Sequence, residues 1–151
     1  MSDLPTLPVT FRPVTTRAVL FTAAVAILVV ITAVAMLLKQ LSPAERLSFV
    51  VTALLLDAVL LLLARPKVVA DEDGVTVVNL TSKRRLEWAE ILQVTLRSGD
   101  PWVFLNLSDG TSLPALGIQP GLAKQRAIAD ARALRALVEN RSVASPERHQ
   151  S

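Results

Sequence analysis

The sequence contains no cysteine and no tyrosine, only five glycines, and a single histidine, His149, in its last residues. Disulfides and thiol chemistry are therefore excluded, as are the usual zinc and haem ligand sets, which draw on cysteine and histidine. No folded histidine base, glycine-rich phosphate loop or paired-carboxylate motif is present, so neither a catalytic residue nor a cofactor or metal is expected. Charge is also scarce. Of 151 residues, 19% are Asp, Glu, Lys or Arg and 52% are hydrophobic, where an ordinary soluble domain is about a quarter charged. Part of this chain is expected in lipid. The net charge of +3 informs less than the positions of the charges. Nucleic acid is not an expected partner, because Asp130 and Glu139 interrupt the arginines of the last segment and no reader motif accompanies them.

What is present begins with two apolar runs. Residues 18–38, AVLFTAAVAILVVITAVAMLL, are uncharged and long enough, at about 1.5 Å per residue, to cross a hydrocarbon core of about 30 Å. Residues 47–64, LSFVVTALLLDAVLLLLA, pass the same test with one acid, Asp57. Between them, Ser42, Pro43 and Glu45 read as the N-cap, first position and N3 acid of the second helix. A transmembrane helical hairpin over 18–64 is expected, after an N-terminal tail, 1–17. Ala33-Val34-Ala35 resembles a signal-peptidase site, but the apolar run continues past it and a second span follows, so both helices belong to the mature chain. Arg12 and Arg17 precede the first span, and Arg65 and Lys67 follow the second, against Lys39 and Arg46 in the loop. This bias places both ends in the cytoplasm, in a two-pass protein of the inner (plasma) membrane.

After Arg65-Pro66 the texture changes to short strand-like stretches divided by turn signals. Strands are expected at 67–71, 75–80, 84–88, 91–98, 102–107 and 111–114, with turns at Asp73-Gly74, Ser82-Lys83, Gly99-Asp100-Pro101 and Asp109-Gly110. Alternation assigns Leu92, Val94 and Leu96 to the core, joined by Val103, Leu105 and Leu107, with Trp102, Phe104 and Asn106 on the opposite face. Residues 119–141 follow a helical period. Ile128, Ala131, Leu134, Leu137 and Val138 line one side, to pack on the sheet, and Lys124, Arg126, Arg132, Arg135 and Arg141 line the other. The tail, 142–151, has little to bury and is expected to be disordered.

A hairpin, then Gly74 opening a strand, Trp88-Ala89-Glu90-Ile91, the Leu107-Ser108-Asp109-Gly110-Thr111 turn and a closing helix together resemble the short bacterial pleckstrin-homology (PH) domains of small actinobacterial membrane proteins. The resemblance covers about residues 65–140, within a domain expected over 65–141. It implies an α+β domain, a small, partly open antiparallel β-barrel capped by a C-terminal helix, and a binding or scaffolding role rather than catalysis. The sequence departs from lipid-binding members of the superfamily, whose phosphoinositide grip lies on a basic loop between the first two strands. Here that loop reads as Asp71-Glu72-Asp73-Gly74, whose acids repel a phosphorylated headgroup. Six strands are readable where the superfamily has seven.

The expected function is a membrane-anchored interaction or scaffold module that recruits a protein partner. Its alternative is an anionic-lipid-responsive accessory subunit of a membrane complex or transporter. A simple meander sorts charge by height. Arg65, Lys67, Lys83, Arg84, Arg85 and Arg97 fall near the leaflet as anionic-lipid contacts, while Asp71, Glu72 and Asp73 fall distally. Trp102 and Phe104 are the candidate partner contact, and Trp88 is read as core. Asp57 costs about 2.5–3.5 kcal/mol at the bilayer centre on insertion scales. It is the candidate intramembrane polar contact, either with Thr22 or Thr32 of its own hairpin or across a homo-oligomer or partner.

Overall fold

The computed structural model describes residues 4–150, with side chains through Arg141. The chain forms two units: a helical hairpin, 14–65, and a β-rich unit made by the residues before Val14 together with those after Arg65.

In the hairpin, α1 (Val14–Leu37) and α2 (Pro43–Leu63) are each long and apolar enough to cross a membrane. The α2 start is as expected: Pro43 is the first helical residue, and Ser42 Oγ accepts from Glu45 N at 3.2 Å, which satisfies one of the helix's unpaired amides. Arg46 folds back onto the end of α1, donating to the carbonyls of Ala35 (3.1 Å) and Leu38 (3.3 Å). A cation is favourable there, where unpaired carbonyls concentrate negative charge. Ala24, Ala35 and Ala53 are the buried residues of the two helices, small side chains that allow close backbone approach. Most larger apolar side chains, among them Val25, Val29, Met36 and Leu55, are exposed.

Among the described residues the second unit has seven strands. The first, β1 (Val9–Phe11), precedes the hairpin; β2 (Lys67–Ala70), β3 (Gly74–Val78), β4 (Lys83–Glu87), β5 (Ile91–Thr95), β6 (Val103–Leu107) and β7 (Ser112–Ala115) follow it. They form antiparallel sheets of order β1-β2-β3-β4 and β5-β6-β7. The segment before the hairpin is thus a sheet component rather than only a tail, with Val9, Thr10 and Phe11 opposite Ala70, Val69 and Val68. Three residues bounded by Pro8 and Pro13 show no alternation, which hid β1 from the sequence reading. Those same prolines suit an edge strand, where a missing amide leaves no partner unpaired.

The sheets do not close into a barrel. A 3-10 turn, Trp88–Glu90, separates β4 from β5. On the other side, the first sheet is tied to the end of β7 by one side chain: Asn79 Nδ2 donates to Pro114 O at 2.8 Å, and Leu116 N donates to Asn79 Oδ1 at 3.0 Å. A ladder is replaced there by an amide that mimics one rung of it.

The core joins both sheets to α3 (Lys124–Gln150) through Phe11, Val68, Leu86, Ile91, Leu105, Leu134 and Leu137. Ala127, Ala131, Leu134, Leu137 and Val138 make the buried stripe of α3, with Ile128 half-buried at its margin. Arg135 forks onto Val94 O at 3.2 and 3.0 Å, satisfying a carbonyl of β5. The helix continues beyond Arg141 to Gln150, into the segment expected to be disordered; the side chains there, and Ser151, lie outside the described residues. One core assignment is corrected. Leu92 is 66% exposed, and Ile91 takes its place at 1%, because the β5–β6 register shifts between Ile91 and Gln93 and a bulge moves the residue it adds off the core face.

Candidate interaction surfaces

The turn between β2 and β3 is built by its acids. Asp71 Oδ1 accepts from the amides of Asp73 (2.9 Å) and Gly74 (3.0 Å), a side chain standing in for a backbone turn. Its carbonyl accepts from Trp88 Nε1 at 3.0 Å, so Trp88, 6% exposed, is core and has its polar atom paired. The β3–β4 register sets Arg85 opposite Thr76. From there its two terminal nitrogens grip Asp71 Oδ2 and Oδ1 at 2.7 Å each, and one also reaches Thr76 Oγ1 at 3.0 Å. Glu72 accepts from Arg141 at 2.9 Å. This turn is the β2–β3 connection, not the β1–β2 one that the six-strand reading made it. With β1 in place, the β1–β2 connection is the entire helical hairpin.

The Arg85 side chain, bonding to Asp71, is the main reason that carboxyl is held at about 2 rather than 3.8. A carboxyl depressed in the folded state stabilises fully above its unfolded value, and that contribution fades as pH falls from 3.8 through about 2. The thermal midpoint of Arg85→Gln is therefore expected to lie below wild type at neutral pH and to converge with it in that acid window. The gap is small, since both side chains are partly exposed and screened. A gap that stays constant down to pH 2 contradicts the pairing.

The sequence-derived basic set is divided by the structure. Lys67, Val78 and Lys83 are successive register partners across β2, β3 and β4, so the two lysines flank one valine at the end of the sheet where the chain returns from the hairpin. Arg84, exposed, lies 3.9 Å from Asp109. Arg65 closes the helical unit, its amide donating to Leu62 O at 3.1 Å. Arg85 is committed to Asp71, and Arg97 lies elsewhere, in the connection between β5 and β6.

Arg97 instead joins Phe104. The outer face of the second sheet carries an open cleft of about 200 Å³ lined by Thr95, Arg97, Asp100, Phe104, Asn106 and Ser112. Register explains the grouping: Thr95 lies opposite Phe104, and Asn106 lies between Gln93 and Ser112. Asn106 Nδ2 donates to Gln93 Oε1 (3.1 Å) and Thr95 Oγ1 (3.3 Å), while Asp100 Oδ2 accepts from Arg97 N at 2.8 Å. One half-buried aromatic ring thus stands among hydroxyls, an amide, a carboxylate and a guanidinium. The sequence supplied Phe104 and Arg97 as separate candidates, and alternation along the strand sets Asn106 on the face of Phe104; Thr95 and Ser112 join them only through pairing across three strands. Trp102, half-buried, precedes β6 and does not line this cleft.

Asp57 is half-buried within α2. Its Oδ1 is covered and has no hydrogen-bond partner among the described residues.

Comparison with known proteins agrees with this architecture. Residues 65–137 match the sequence family described as "Bacterial PH domain". Uncharacterized proteins of Mycobacterium tuberculosis and Mycobacterium bovis are 31% identical over 95 residues, which is 63% of this chain and 61% of theirs. The aligned part therefore spans less than two thirds of those relatives. No solved structure matches the chain. The order of strands, the Trp88 corner, the closing helix and the family match agree: over residues 65–137 this chain is similar to bacterial PH domains.

Proposed function

We propose that the chain is a membrane-anchored PH module that recruits a protein partner at the cytoplasmic face of the inner membrane, without catalysing a reaction. The observation that carries this reading is the position of the apolar hairpin inside the domain, between two paired strands. A surface as apolar as that of α1 and α2 is unfavourable in water at about 25 cal/mol per Å², and a bilayer covers it. Because Phe11 and Val68 are register partners, about 5 Å apart in any antiparallel pair, the chain departs and returns at one place. This supports both ends of the hairpin lying on one side of the bilayer, and Arg12, Arg17, Arg65 and Lys67 favour the cytoplasm as that side.

Docking is assigned to the cleft around Phe104. A ring among polar side chains supplies an apolar anchor with hydrogen-bonding surroundings, the combination found at the centres of protein interfaces. A second reading, an accessory subunit responsive to anionic lipid, is favoured by Lys67 and Lys83 on one rung at the end nearest the hairpin connection; each such charge near a leaflet contributes about 1 kcal/mol.

One experiment separates the two. A photo-crosslinking residue is placed at Phe104, at Lys83 or, as a control on the outer face of the first sheet, at Thr10, in the full chain in native membranes. Position 104 is expected to yield a discrete protein adduct that position 10 does not. Lipid adducts at 83 with no protein adduct at 104 would replace the scaffold reading with the lipid one.

A further inference from the structure

Asp57 of α2 and Thr22 of α1 occupy the same depth in the hairpin. Asp57 lies 57 − 43 = 14 residues beyond the start of α2, and Thr22 lies 37 − 22 = 15 residues before the end of α1. At about 1.5 Å per residue, both are roughly 21–23 Å from the loop end. Thr32, only 37 − 32 = 5 residues from that end, is roughly 13 Å away along the axis, too far to serve as a partner.

Equal depth has not produced a bond within the hairpin. Asp57 follows buried Ala53 by one turn, so it points along the helix seam, and its covered Oδ1 is unpaired among the described residues. Thr22 is exposed. That covered atom is closed to a neighbour, but Asp57 as a residue is only half-buried, so its outer edge and the outward Thr22 hydroxyl, at the same height, are half of a contact each. Copies inserted in one membrane share their orientation, so an axis relating two of them runs along the membrane normal and preserves depth. A twofold then brings Asp57 of each copy level with Thr22 of the other, and the contact is made twice.

We propose that this chain self-associates in the membrane through reciprocal Asp57–Thr22 hydrogen bonds, a proposal that rests on the hairpin spanning a bilayer. In hydrocarbon no water competes for either group, so an unpaired carboxyl favours any assembly that supplies a donor. Among the described residues, the alternative within the hairpin is not formed.

The test is the protein mass of the full chain in mild detergent, measured by light scattering. Two copies are expected for wild type and for Asp57→Asn, which retains hydrogen bonding. Asp57→Leu and Thr22→Val should each reduce the two-copy fraction several-fold. Their combination should do no more, because both remove the same contact. Wild type as a single copy, or Thr22→Val unchanged from wild type, overturns the proposal. Alkaline carbonate washing of membranes checks the underlying reading separately: a chain released by the wash is not integral, whereas a chain retained yet present as one copy removes only the self-association.

Discussion

Phe11→Ala should lower the stability of the β-rich domain by about 3–5 kcal/mol, the usual cost of emptying a buried phenylalanine site, although residue 11 lies outside the stretch that matches the family. Phe11 is 5% exposed and belongs to the same core as Val68, Leu86 and Leu134. Its loss removes more than a ring, because β1 is held to β2 by only three residue pairs and the ring ties that short strand to the core. Thermal unfolding of the full chain, followed through Trp88 and Trp102 fluorescence, measures the effect. An unchanged midpoint would show that β1 contributes nothing to the domain. By the same argument, a fragment of residues 66–141 leaves β2 as an unprotected edge beside an open apolar site, and should unfold at lower temperature than the full chain and aggregate.

Gly117→Ala should cost about 1–3 kcal/mol. A Cβ at residue 117 would sit 2.6 Å from both C and Cα of Lys67 and 2.8 Å from Val68 N. All three are backbone atoms of β2, so no side chain can swing aside, and relief requires the segment after β7 to move off the first sheet. The neighbouring bonds lie in the same corner: Asn79 to Pro114 O, Leu116 N to Asn79, and Val103 N to Ile118 O at 3.0 Å. The thermal midpoint should fall, and amides of Leu116 and Val103 should exchange faster with solvent. Unaltered exchange at both would mean the corner absorbs a methyl group without opening.

Much of this architecture could be read locally. The apolar runs, the Ser42-Pro43-Glu45 start, the strand positions after Pro66, the Trp88 corner and the stripe on α3 each depend on neighbours within a few residues. What the sequence concealed depends on distant pairing. β1 is too short to alternate, and its partner Val68 lies 68 − 11 = 57 residues away. Leu92 fits the alternation until the register across β6 reveals the extra residue. Arg85 reads as a free cation in a basic turn, and only the β3–β4 register, with the turn after β2, delivers it to Asp71. The cleft beside Phe104 had no local signature for the same reason, since its lining is collected from β5, β6, β7 and one turn.

The separation of β1 from β2 also has a consequence in time. A ribosome adds about 5–20 residues per second, so Phe11 exists for roughly 3–11 s before Val68 is made. During that interval the strand has no sheet to join, while the whole apolar hairpin is being synthesised. The sheet becomes complete only after both helices have left the ribosome, because β1 precedes them and its partner β2 follows them. If the hairpin spans a bilayer as proposed, a chain whose second helix failed to cross would strand the residues before Val14, β1 included, away from the rest and never assemble the seven-stranded domain. On that proposal, folding of the domain acts as a check on its own anchor, and a misinserted chain would present an unfinished edge that proteases could find.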